Sequence, residues 1–84
     1  PLSQSREELT KLLQIGDTLL KSKDSIVNQE EVQFIQAIHT LQAIDQQLLS
    51  PAEGLKKFKQ LLTQLRSQYP QSLKPLTLEA LGNF

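Results

Sequence analysis

Ser50 to Tyr69, SPAEGLKKFKQLLTQLRSQY, is the stretch that decides the fold. Ser50 is placed to accept a hydrogen bond from a first-turn amide, Pro51 follows where a missing N–H costs nothing, and Glu53 can reach back to the Ser50 amide. Three features thus agree on one helix start. Beyond it Leu55, Phe58, Leu62, Leu65 and Tyr69 recur at helical spacing, Leu61 widens the stripe, and Pro70 ends the pattern. Such a seam must be buried against neighbours, and two segments of similar length precede it.

The nearer one starts as clearly. Asn28 with Glu31 repeats the capping logic, and Val27 and Val32 occupy the positions of a hydrophobic staple. Its stripe is Phe34, Ala37, Ile38, Leu41, Ile44 and Leu48, with Ile35 and Leu49 beside it. Those two either widen the core, which is the preferred reading, or remain for a partner. No glycine offers a left-handed cap after Leu49, so the turn into Ser50 must be abrupt and steered by Pro51.

Further back, Lys23, Asp24 and Ser25 form a polar connection, and Ser5 with Glu8 suggests another capping box. Leu9, Leu12, Leu13, Gly16, Leu19 and Leu20 share one broad face of the helix that follows, while Glu7 with Lys11 and Asp17 with Lys21 pair on its outer side. Gly16 costs such a helix about 1 kcal/mol against alanine, which suits either a close approach by another helix or simple tolerance.

After Pro70 the reading is less uniform. Pro75 fits the first turn of a short helix through Leu81, with Gly82 at its end, and Leu73, Leu76, Leu78, Leu81 and Phe84 make the segment too apolar for an idle linker. It either folds over an open edge of the bundle, the preferred reading, or docks elsewhere. The expected architecture is therefore all-α, a single domain over residues 1–84. It is a small antiparallel three-helix bundle, with helices at about 6–21, 29–49 and 51–69, and a short fourth C-terminal helix or docking tail at about 75–81. The chain does not begin with methionine, which fits either a trimmed protein or a domain of a larger one.

Composition agrees and excludes several functions. Twelve glutamines and seventeen leucines favour helix over sheet, and nine basic residues against nine acidic ones leave no net pull towards nucleic acid or an anionic membrane. The absence of cysteine removes disulfides and thiolate metal sites. No apolar run is long enough to span a bilayer and no secretory leader is recognisable, so a soluble protein is expected, with the cytoplasm as the default location.

Catalytic and cofactor chemistry find no support. His39 is the single histidine and lies among Gln36, Thr40 and Gln42, so a solvated side chain is expected rather than a metal ligand or general base. Glu7, Glu8, Glu30 and Glu31 fall in first helical turns, where acids stabilise the helix dipole. Asp45, at the border of an apolar stripe, is expected to pair with Lys56 or Lys57. The three glycines are too far apart for a phosphate-binding loop.

What remains points to a non-catalytic helical interaction module, an adaptor, docking or oligomerisation domain without metal or cofactor. Its partner would be another protein or a second copy of itself. The expected partner-binding residues are Ile35, Leu49, Leu76, Leu78, Leu81 and Phe84. The alternative is a small nucleic-acid-binding domain using Lys56, Lys59 and Arg66 on one flank of the third helix, although no aromatic on that flank offers a base a stacking platform. Complementarity between this basic helix and the acidic helix before it is the preferred account of those charges.

Overall fold

A computed structural model describes residues 2–82 of the protein, with side chains from residue 6 onward. Four helices follow one another, α1 Leu2–Leu20, α2 Gln29–Asp45, α3 Pro51–Gln68 and α4 Lys74–Gly82, and the described residues form no strand. Two starts are built as their sequences dictate. The Asn28 side chain accepts from the Glu31 amide at 3.1 Å, and Ser50 Oγ accepts from the Glu53 amide at 3.2 Å with Pro51 in the first turn.

α1 differs from expectation, because it begins at Leu2 and Ser5 is an interior position rather than a cap. Leu2, Ser3 and Gln4 contain no helix breaker, so the helix continues upstream of the S-x-x-E pattern. α2 differs at its other end, stopping at Asp45 rather than near Leu49. Gln47 takes the left-handed conformation, with φ of 62°. Its N–H bonds the Ile44 carbonyl at 3.1 Å while the Leu48 N–H bonds the Ala43 carbonyl at 2.8 Å. This pair of bonds is a Schellman cap, closed here by a glutamine that bears a backbone cost of about 1 kcal/mol where glycine would bear almost none.

Packing is arranged around α2. α1 and α3 each pack along it, α4 packs on α2 and α3, and among the described residues no Cα of α1 lies within 8 Å of one in α3. The three long helices pack together as expected, yet the side between α1 and α3 stays open. Register follows from residue pairs. Gln29 bonds the Leu19 carbonyl and Gln36 the Leu13 carbonyl, so α2 runs against α1; Gln33 bonds Gln68 while Ile44 lies against Gly54, so α3 runs back again.

The α3 seam forms the core: Phe58, Leu61, Leu62 and Leu65 are buried with Ala37 and Leu78, and Leu20, Phe34, Ile38, Leu41 and Tyr69 pack against them. The buried face of α2 is not the apolar stripe of its sequence. Its buried residues are Gln33, Gln36, Ala37, Thr40 and Ala43, with Phe34, Ile38, Leu41 and Ile44 only half-buried. A helix lying between two others needs two contact faces about a quarter-turn apart, and the line between those faces carries Gln33, Gln36 and Thr40.

Both contact faces depend on a glycine. A Cβ on Gly16 would overlap the Gln36 carboxamide, which occupies that notch while donating to the Leu13 carbonyl and to Asp17 Oδ1, each at 3.0 Å. A Cβ on Gly54 would stand 2.2 Å from Ile44 Cγ1 and 2.5 Å from its Cδ1. Gly54→Ala is therefore expected to lower stability by about 1–3 kcal/mol despite the better helix propensity of alanine. Made together with Ile44→Ala, which leaves only the Ile44 Cβ 3.7 Å away, it is expected to cost nothing further. A double-mutant cycle by urea denaturation checks this, and additive losses would contradict the contact.

Candidate functional site

α4 presents two unlike faces. Pro75 and Leu78 are buried, Leu78 completely, whereas Leu76 and Leu81 on the helix and Leu73 just before it are 62%, 55% and 73% exposed. Both of the helix's charged side chains are engaged by the rest of the chain. Lys74 Nζ lies 3.6 Å from Glu30 and 3.7 Å from Glu31 at the start of α2, and 5.7 Å from the centre of the Phe34 ring, while Glu79 forms an ion pair with Arg66 of α3. Ser72 supports this end twice. Its Oγ accepts the Lys74 amide at 3.2 Å, and its hydroxyl is the first cause, with the Lys74 ammonium adding to it against desolvation, of a Glu30 carboxyl held below its ordinary value. The outward surface left over is Leu73, Leu76, Thr77, Ala80 and Leu81, without a charge.

A second feature is the cleft left open between α1 and α3. It has a volume of about 280 Å³ and a floor of Gln36 and Thr40 from α2. Leu13, Asp17 and Leu20 form one wall, and Lys57, Gln60, Leu61 and Gln64 the other, with Leu49 at one end. Thr40 Oγ donates to the Gln36 carbonyl at 2.8 Å and the Gln36 amide is turned to α1, so the polar floor is held from within. One carboxylate and one ammonium stand on opposite walls.

The residues expected to bind a partner are thus dispersed. Leu76 and Leu81 lie on the outer face of α4, Leu78 belongs to the core, Leu49 lines the cleft, Ile35 is 41% exposed on α2, and Phe84 lies outside the described residues. Burial takes Leu78 away from any surface role. Leu73, which was not singled out as a contact, is the more exposed residue, and its position one turn before Leu76 was a usable signal.

The charged residues also differ from expectation. Lys56 and Lys59 are exposed on α3, but Arg66 is paired with Glu79. Among the described residues neither Lys56, Lys57 nor Asp45 makes an ion pair, and the acids at the start of α2 meet Lys74 of α4 instead of the α3 cations. α4 supplies the complementary charge because Lys74, at its start, lies against the first turn of α2, where Glu30 and Glu31 stand. Among the described residues no helix is long and apolar enough to cross a membrane, and there is no cluster of three His, Cys, Asp or Glu able to hold a metal ion. Comparison with family models, with curated proteins and with solved structures finds no match for this chain.

His39 is half-buried rather than solvated. Its Nδ1 is enclosed without a hydrogen-bond partner, and burial pushes the imidazole pKa below its ordinary 6.5. The neutral form is favoured in the fold, so the unfolded chain binds the extra proton first. Stability from this group is whole above pH 6.5 and is lost as pH falls through 6.5 towards the lowered folded value. Replacing His39→Gln is expected to flatten that fall, as measured by denaturation midpoints between about pH 7.5 and 5. An unchanged slope would assign the loss to other groups.

Proposed function

We propose that this chain is a non-catalytic helical interaction module that captures a partner through the outer face of α4. The observation that carries the reading is the charge-free face of Leu73, Leu76 and Leu81, each more than half exposed, on a segment whose other face is docked in the core. Exposed leucines are ordinary singly, but three within nine residues, with the two charges of the segment tied to neighbouring helices, make a patch of the kind that helix-packing interfaces cover. Lys74 and Glu79 are engaged by Glu30, Glu31 and Arg66 and hold α4 in place, so the patch is presented on a fixed element.

Other observations weigh against the competing classes. A phosphate-binding flank on α3 would have to give up the Arg66–Glu79 pair to use all three of its cations. Among the described residues the two groups whose acidity departs from the ordinary, Glu30 and His39, lie nine residues apart on α2, about 13 Å along its axis, too far to act on one bond.

The test is the combined variant Leu73→Ser, Leu76→Ser and Leu81→Ser. Its thermal midpoint is expected to stay within about 3 °C of the unaltered chain, because these side chains contribute little to the core. Complexes detected by sedimentation or by capture on the immobilised chain are expected to disappear. Complexes that persist in the variant, or a midpoint that collapses with them, would overturn the assignment of this face.

A further inference from the structure

α1 is attached to the rest of the chain on one side only, and we infer that it is a helix released by acid, with His39 of α2 as the group that takes up the proton. Placement comes first. Gln36 donates to the Leu13 carbonyl and to Asp17, and Gln42 and Gln46 line a cleft with Glu8, Leu9 and Leu12 of α1. His39 stands three residues after Gln36, three before Gln42 and seven before Gln46, so it shares the flank of α2 that α1 covers. Gln33, which bonds Gln68, and Ile44, which lies against Gly54, mark the other flank, where α3 packs. Among the described residues no Cα of α1 lies within 8 Å of one in α3 or α4, so parting this single seam frees the helix.

The seam also holds polar groups that gain when it parts. His39 Nδ1 and Gln46 Oε1 are enclosed without a hydrogen-bond partner, and water can reach both once α1 leaves. An imidazolium is worse placed there than the neutral ring, because it brings a charge and a second N–H donor into the same enclosed space. The charged groups nearest this level are Glu8, Lys11 and Asp17 of α1 and Asp45 of α2, all exposed, and among the described residues none forms an ion pair with His39. From the other flank, Lys57 of α3 stands across the α1–α3 cleft from Asp17, Arg66 meets Glu79, and Lys74 meets Glu30 and Glu31. No neighbour therefore offsets the desolvation that holds the imidazole below its ordinary value of 6.5.

The sign follows from where the proton binds better. With α1 seated, His39 takes the proton only below 6.5; with α1 released, it takes it at the ordinary value. The released fraction is then constant above pH 6.5, rises as pH falls through 6.5 by at most about tenfold per pH unit, and levels once the seated form is protonated as well. Release uncovers the α2 flank of Gln36, His39 and Ala43 and the notch at Gly16.

The chain has no cysteine, so a single thiol can report on each part of it. Ala43→Cys places one on the α1 flank of α2, two turns after Gln36, and Ala37→Cys places one in the core shared with α3; both sites are wholly buried. Labelling by dithiodipyridine is followed from about pH 7.5 to 5, each rate divided by that of an unstructured cysteine peptide at the same pH. The thiol at 43 is expected to react faster than the thiol at 37 throughout, and its corrected rate to climb below pH 6.5 by up to about tenfold per unit. Adding His39→Gln is expected to abolish the climb, and His39→Leu does the same service if the glutamine variant fails to fold. The imidazole signal of the unaltered chain, followed by NMR, is expected to titrate below 6.5. A flat rate at position 43, equal rates at the two positions, a climb that survives both replacements, or an imidazole titrating at 6.5 or above would each overturn the assignment.

Discussion

A helix that must touch two others which do not touch each other has to be buried along two lines, and α2 meets that demand through Gly16 and Gly54. On one side the Gln36 carboxamide enters the space above Gly16, and on the other Ile44 enters the space above Gly54. Each notch brings backbone close to a side chain and sets the register of a helix pair. Everything else in the fold is downstream of these two contacts. The α3 seam can close over Ala37 because Ile44 is accommodated, and the cleft exists because α1 is tied to α2 alone.

The polar line of α2 gives three of the chain's twelve glutamines a structural role. Gln29 donates to the Leu19 and Ser22 carbonyls at the end of α1, Gln33 donates to Gln68, and Gln36 donates to Leu13 and Asp17. The Leu19 carbonyl is one of those a helix end leaves without an intrahelical partner. A neutral carboxamide can reach it from a neighbouring helix without the desolvation cost of a buried ammonium. Serving both α1 and α3 from one face, the three glutamines do what an apolar stripe does elsewhere, with hydrogen bonds that fix position as well as proximity.

Much of the fold was legible in the sequence where local chemistry decides. The Ser50 and Asn28 caps and the Phe58-to-Leu65 seam are properties of short stretches, and they appear as written. The buried face of α2 was not legible, because periodicity assigns Gln33, Gln36 and Thr40 to solvent and only a second neighbouring helix can reverse that. Gln47 escaped for a related reason: nothing about a glutamine announces a left-handed residue, and the choice is made by the chain having to reach Ser50. In α4 the sequence showed an excess of leucine but not which leucine faced inward, since one apolar residue falls on nearly every side of so short a helix. The cleft, made by three helices together, has no sequence signature at all.

The single-sided attachment of α1 also orders the molecule in time. α2, α3 and α4 share one set of buried side chains, so none of the three can leave without opening the core that Phe58, Leu65 and Leu78 fill. Among its described side chains α1 contributes half-buried Leu20 to that set, and the buried residues of this part are Leu9 and Gly16. Its detachment breaks one seam and a few glutamine bonds, which makes α1 a separate opening unit above a kernel that stays folded. Amide hydrogen exchange would then run through α1 as a block well before it reaches α3, and equal protection of the two helices would mean that the kernel includes both.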